Sequence, residues 1–169
     1  MIGSLAWVVL LLPLAGALVL GFSGSAEPPK ALTRVAGVGT IALSFAATLV
    51  IFFTLLGRDA DDRALTTTAW RWAELGPLKI DLALLLDPLS VLMMLVITGV
   101  GMLIVAYSTE YMNHDRDYRR FFAEMDFFIF AMLLLVMAAN FVFLIIGWAL
   151  VGLASYLLIG YYYDRPSAV

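Results

Sequence analysis

The chain has no cysteine and a single histidine, His114. Without thiols there is no disulfide framework, no thiolate metal site and no thioether-linked haem, and one imidazole does not make a His-rich site. Charge is scarce too: 14% of the 169 residues are Asp, Glu, Lys or Arg, and no basic cluster exceeds three residues. That excludes a nucleic-acid footprint. The glycines lack the spacing of a phosphate loop and its lysine. No nucleophile–base pair, metal-ligand set or nucleotide fingerprint stands out, so no residue is given a catalytic, cofactor-binding or metal-binding role.

What is present is apolar: 63% of the residues. A soluble globule of this size cannot hide so much apolar surface. The acids and bases are gathered into short stretches, leaving long ones almost free of charge. This is the pattern of an integral membrane protein, with lipid as its first partner. Residues 2–22 lack a basic leader and run too long for the apolar core of a signal peptide. They read as a retained first transmembrane helix.

The chain reads as one all-α transmembrane domain over 1–169, with five spans at about 2–22, 31–57, 88–112, 119–138 and 141–163. Pro13 lies inside the first span and should kink it unless a neighbour compensates for the missing donor. Gly24, Pro28 and Pro29 break the chain before the second. There Ala36, Thr40, Ser44 and Thr48 recur every fourth residue and form a small-residue stripe suited to close helix packing. Asp87-Pro88 opens the third span, with Asp87 suited to cap the helix and Pro88 to its first turn. Asn140 sits in a very short turn, which makes spans four and five an antiparallel pair.

Residues 58–86 differ from the rest. A polar RDADDR run precedes a threonine-rich segment with Trp70 and Trp72 alternating, and Leu78–Leu86 alternates in part around a Gly76-Pro77 turn. This predicts a small β-hairpin between spans two and three, with its tryptophans at headgroup level. The loops holding Lys30 and Arg34, and Arg116, Arg119 and Arg120, are more densely basic than the hairpin loop. They should be cytoplasmic, along with the C-terminus and Arg165. The hairpin is then extracytoplasmic and the N-terminus lies outside.

From Asp87 onward the chain runs through Asp87-Pro88-Leu89-Ser90, Thr98-Gly99-Val100-Gly101, Tyr107-Ser108, Tyr111-Met112, Tyr118 to Ala123, Met132 to Val136, and Gly147-Trp148 through Gly160. In these residues it resembles the large antiporter-like subunit of proton-pumping NADH:quinone oxidoreductase, subunit L in bacteria and subunit 5 in mitochondria. The hairpin with its Trp-x-Trp is similar to the extracytoplasmic hairpin of that subunit. The likeness reaches only the family's first five helices. It implies a bacterial inner membrane or another energy-transducing membrane of a respiratory chain, and other membrane-arm subunits as partners. NADH, FMN, iron–sulfur clusters and quinone are then expected in partner subunits, with no redox site in this chain.

In that family helix five carries Gly-Trp-Glu, whose glutamate belongs to the proton path and pairs with a lysine on a later helix. Here the match is Gly147-Trp148-Ala149. An intramembrane carboxylate is costly unless paired, and that pairing lets it hold and release a proton. Alanine has none to release, so the chain is not expected to conduct protons alone.

Four residues remain as proton-path candidates: Glu124, Asp126, Asp87 and Trp148. Relatives commonly have uncharged residues where Glu124 and Asp126 stand. These two are either relocated proton carriers near a cytoplasmic entrance, or acids in the first turns of an inward-starting helix. In the second reading Arg120 pairs with Glu124 and both acids snorkel to water. Trp148 either lines a proton path or fills a packed span. Gly147 and Gly152 permit close helix approach. Two other functions remain open: a non-conducting structural or assembly subunit, and a module of a multisubunit cation/proton antiporter or inorganic-carbon transporter.

Overall fold

The computed structural model describes residues 2–22, 30–75 and 78–163. The Gly24–Pro29 break, the Gly76-Pro77 turn and Arg165 lie outside the described residues. The elements in order are α1 (Ile2–Phe22), α2 (Lys30–Leu56), a 3-10 turn (Ala60–Asp62), β1 (Leu65–Leu75), β2 (Leu78–Leu86), α3 (Pro88–Tyr111), α4 (Tyr118–Val136) and α5 (Phe141–Ile159).

Helices α1, α2, α3 and α5 are long and apolar enough to cross a membrane. Helix α4 has 19 residues, about 28 Å at 1.5 Å per residue, but it carries Arg119, Arg120, Glu124 and Asp126. The expected five spans therefore meet four helices that qualify by length and composition, and one that its charges set apart. That charged helix is central: α4 packs on α1, α2, α3 and α5. Its buried face repeats at helical spacing through Phe122, Asp126, Ile129 and Leu133.

Helix α5 ends at Ile159, short of the expected residue 163. The chain then turns so that the Tyr161 and Tyr162 hydroxyls donate to the two oxygens of Asp115, at 2.7 and 3.0 Å. Burial and the Asp115 contact push the Tyr161 phenol above its ordinary value, so the hydroxyl stays a donor. These bonds tie the end of α5 to the α3–α4 connection.

The proline in α1 is compensated from outside. Pro13 has no N–H to offer the Val9 carbonyl one turn back, and that orphan acceptor would sit among apolar side chains. Ser44 of α2 donates its hydroxyl to the Val9 carbonyl at 2.9 Å, and Ser44 is fully buried. Thr48, Thr98 and Ser108 satisfy themselves instead, each donating to the carbonyl four residues earlier.

The hairpin forms as the sequence predicts, with β1 and β2 antiparallel and Arg71 paired with Asp81 across the strands. The pairing register shifts at two points, between Thr68 and Trp70 and between Arg71 and Ala73. Trp70 and Trp72 both remain exposed. The other edge of β2 is covered by the α4–α5 turn, where Leu85 N–H donates to the Met137 carbonyl and Ala139 N–H to that of Ala83. Asn140 ties the turn down twice. Its amide donates to the Asp81 carbonyl at 2.8 Å, and its side-chain oxygen accepts from the Phe143 N–H as the α5 cap.

Ser44→Ala should cost about 1–3 kcal/mol, because it strands the buried Val9 carbonyl. In a Pro13→Ala background the intrahelical bond returns and the same change should cost far less. A double-mutant cycle on thermal unfolding in detergent measures this coupling; equal costs in both backgrounds would show that Ser44 does not serve the proline.

Candidate functional site

The small-residue stripe of α2 faces α1 and α4, and two side chains of α4 press into it. Phe122 lies against Gly37, where an added Cβ would meet the ring at 2.9 Å. One turn further along α4, Asp126 reaches the junction of α1, α2 and α4 and is fully buried. Gly16 of α1 makes its room. A Cβ at Gly16 would overlap Asp126 Oδ2, stand 2.8 Å from Thr40 Oγ1 and 3.1 Å from the Ala36 carbonyl. Thr40 is the polar neighbour of the carboxyl, with Oγ1 at 3.4 Å from Asp126 Oδ2. The same Thr40 hydroxyl lies 2.8 Å from the Ala36 carbonyl and 3.0 Å from the Gly37 carbonyl. Asp126 Oδ1 has no hydrogen-bond partner among the described residues.

Glu124 belongs to a different face of the same helix, since residues two apart do not face each other. Its Oε1 accepts from Arg120 Nε at 2.6 Å, and Oε2 is buried without a partner among the described residues. The sequence expectation of an Arg120–Glu124 pair holds geometrically. The snorkelling expected of both acids does not, because Asp126 begins eight residues into a 19-residue helix and turns inward to the helix junction. A cavity of about 520 Å³ opens beside Glu124, lined by Leu14, Ala17 and Gly21 of α1 and by Arg120, Ala123 and Phe127 of α4.

The end of the bundle nearest this cavity is polar. Arg34 Nε donates to the Tyr118 hydroxyl at 3.4 Å, and that hydroxyl donates to the Thr109 carbonyl at 3.2 Å. Arg34 also approaches exposed Glu110 at 3.8 Å, and Lys30 bonds the side chain and carbonyl of Asn113. His114 is exposed.

The other sequence candidates lie elsewhere. Asp87 is the α3 cap: its carboxylate accepts from the Ser90 N–H at 2.6 Å while the Ser90 hydroxyl accepts from the Asp87 N–H at 2.8 Å. That capping box occupies it at the hairpin end, away from the α1–α2–α4 junction. On α5, Gly147 lets the helix close on α4, where a Cβ would meet the Leu135 backbone at 2.8 Å. Gly152 has open space beside it, so it serves no close approach here. Trp148 is 69% exposed rather than buried in a packed span, and Ala149 is exposed next to it. Helix α5 contains no acid or base. Of the stripe residues, Thr40 meets the carboxyl, Ser44 meets the proline-freed carbonyl, and Thr48 is buried. Among the described residues no three His, Cys, Asp or Glu gather as a metal site.

Sequence reading did not single out Gly16. Its signal was present in Ala15-Gly16-Ala17, three small residues in a row on an otherwise bulky helix. The Asp115–Tyr161–Tyr162 clamp carried no local signal, because its members lie 46 and 47 residues apart.

Long apolar helices packed around one charged helix, with a short two-stranded sheet at one end, define an integral membrane protein. Comparison with known proteins shows what the chain resembles. The family described as NADH-Ubiquinone oxidoreductase (complex I), chain 5 N-terminus matches residues 72–122. The chain is 43% identical over 162 residues to NADH-quinone oxidoreductase subunit L of Mycobacterium tuberculosis (strain ATCC 25618 / H37Rv), covering 96% of this chain and 25% of that one. It is 40% identical over 161 residues to subunit L of Escherichia coli (strain K12), covering 94% and 25%. It is 34% identical over 165 residues to the chloroplastic NAD(P)H-quinone oxidoreductase subunit 5 of Anthoceros angustus, covering 96% and 22%. The chain is similar to the N-terminal part of the subunit L/subunit 5 family. It spans about a quarter of the length of the curated relatives it matches.

Gly16→Ala should destabilise the bundle by roughly 1–3 kcal/mol, because the new methyl has no space. The cost should shrink in an Asp126→Ala background and remain above zero, since the Ala36 carbonyl still crowds the site. Thermal melts of the two single variants and the double variant check this. An unchanged melting temperature in Gly16→Ala would contradict the packing described.

Proposed function

We propose that this chain is the N-terminal part of a membrane-arm antiporter-like subunit in a proton-pumping NADH:quinone oxidoreductase. The observation that carries the reading is the family match, which runs from Trp72 in the hairpin through α3 to the start of α4, beside 43% and 40% identity to two subunit L proteins over 96% and 94% of this chain. In this reading α4 is the fourth of five spans. Its length suits the ~30 Å apolar layer, and its charges either face protein or lie near its basic end. The N-terminus and hairpin are outside, and the loops bearing Lys30, Arg34, Arg116, Arg119 and Arg120 are cytoplasmic. NADH oxidation and quinone reduction, with FMN and iron–sulfur clusters, belong to partner subunits.

Helix α5 then cannot hold charge where the family has its glutamate. Ala149 is exposed on a helix without acids or bases, so the segment does not conduct protons alone. Asp126 and Glu124 remain the proton-path candidates, with Asp126 at the helix junction and Glu124 beside the cavity. Asp87 is occupied as a cap and Trp148 has no polar neighbour on its own helix.

A structural role in assembly is the second reading, favoured by the unpartnered outer face of α5, where Ile145, Trp148, Tyr156 and Ile159 are exposed. A module of a cation/proton antiporter or inorganic-carbon transporter would keep the same helices without NADH chemistry.

Two experiments separate these readings. Purification of the chain with its native partners should recover flavin and iron–sulfur subunits; a purely membrane set of partners would favour the transporter. In liposomes the chain should show no proton flux above the lipid leak, and a robust flux from the unaltered chain would defeat the non-conducting reading. Ala149→Glu, measured beside it, reports whether a helix-five carboxylate alone is enough.

A further inference from the structure

We infer that Asp126 is a proton-binding site: a carboxyl held in its acid form at the α1–α2–α4 junction and loaded from the cavity beside Glu124. The inference rests on the reading that these helices span the membrane, and it adds a ligand, the proton, to a particular side chain.

The hydrogen-bond inventory favours the extra proton. Thr40 has one hydroxyl hydrogen. The Ala36 carbonyl at 2.8 Å and the Gly37 carbonyl at 3.0 Å claim it before Asp126 Oδ2 at 3.4 Å. The oxygens of Asp126 and Thr40 are then two acceptors facing each other, unless Asp126 supplies a hydrogen of its own. With a proton on Oδ2 the chain of bonds closes: the acid donates to Thr40 Oγ1, and Thr40 donates to the Ala36 carbonyl.

Among the described residues no cationic group stands beside the carboxyl to keep it ionised. Helix α1 has no acid or base. The charges of α2 are Lys30 and Arg34, which engage Asn113, Tyr118 and Glu110. The residues packed at the site from α1 and α2, namely Gly16, Ala36 and Thr40, are not titratable. Helix α3 contributes only exposed Glu110, and α5 no acid or base. On α4 itself Arg119 and Arg120 stand more than one turn earlier, and Arg120 is committed to Glu124. An ionised carboxylate without a cationic partner in an apolar interior is strongly disfavoured against its neutral form. Among the described residues Asp126 belongs to no group of three His, Cys, Asp or Glu that could hold a metal ion in the proton's place.

The site has a route to solvent. The cavity of about 520 Å³ is lined by Ala123 and Phe127, which flank Asp126 on α4, and by Ala17, the neighbour of Gly16 on α1. Its polar wall is Asp117, Arg119, Arg120 and Glu124, so water entering there reaches the turns of α4 and α1 that carry Asp126 and Gly16. Release returns a proton to that water and leaves Asp126 anionic, a state the site tolerates only if α1, α2 and α4 move to bring water or a cation. The bond formed and broken is the O–H of the carboxyl, with water as donor and acceptor, and nothing is oxidised or reduced.

Infrared difference spectroscopy on the full-length protein in its native membrane complex tests this, comparing wild type with Asp126→Asn. The amide is close in shape to the neutral acid and should fold and assemble normally. The expected result is a protonated-carboxyl C=O band at neutral pH that Asp126→Asn abolishes, that Thr40→Val shifts by removing the acceptor, and that moves on transfer to deuterated water. No band difference between wild type and Asp126→Asn would mean that the group is ionised, and would overturn the inference. A band that stays fixed in deuterated water would overturn the loading route. If Asp126→Asn fails to assemble, Asp126→Glu keeps the acid, and its band, displaced from that of wild type, decides the same question. Recovery of flavin and iron–sulfur partners is scored on the same preparation. Partners without the band refute the proton site, whereas the band without those partners refutes the functional assignment and leaves the site standing.

Discussion

In hydrocarbon no water stands ready to satisfy a polar atom, and every such atom must find its partner in protein. This constraint organises the bundle. Two helices bring awkward polar groups inside: α1 a carbonyl freed by Pro13, and α4 the carboxyl of Asp126. Both are met on one face of α2, the first by Ser44 and the second by Thr40, four residues apart. The stripe of Ala36, Thr40, Ser44 and Thr48 therefore does more than let backbones approach. Its small size permits contact, and its hydroxyls make that contact chemically tolerable.

Glycine completes the arrangement from the facing helix. Gly16 lies where any side chain would displace the carboxyl, and Gly37 lies where any side chain would displace the Phe122 ring. A bulky aromatic and a charged-type residue one turn apart on α4 are thus received by two glycines on two different helices. The hairpin end is held by a different device. There the short α4–α5 turn covers the free edge of β2, and Asn140 both caps α5 and grips the Asp81 carbonyl. The helix bundle and the sheet are joined by backbone bonds, so α4 is fixed at its end and packed along its length.

Much of this was legible in the sequence because it is periodic. Apolar runs gave the helices, Asp87-Pro88 gave the start of α3, the threonine and tryptophan alternation gave the hairpin, and the four-residue repeat gave the stripe. Depth and direction were not legible. Asp126 reads as shallow when counted from the charged start of α4, yet it points inward, and only the position of α1 and α2 decides that. Trp148 reads as a core residue by type and stands exposed, because within the described residues α5 packs on α4 alone among the major helix contacts. Gly152, similar to Gly147 in sequence context, meets nothing for the same reason. The Ser44–Val9 bond that serves Pro13 joins residues on separate helices, so the sequence announced the need for a partner without naming it.

The account depends most on α4, a helix with four charged residues, crossing the bilayer with Asp126 turned away from lipid. The absence of native cysteine makes this directly measurable. Single cysteines introduced as His114→Cys before α4 and Phe141→Cys after it, in the native membrane, can be challenged with a membrane-impermeant thiol reagent from each side. Labelling of the first from the cytoplasmic side and of the second from the opposite side is the result expected. Labelling of both from the same side would contradict the account, because α4 would then lie outside the membrane and its carboxyl would need no shelter.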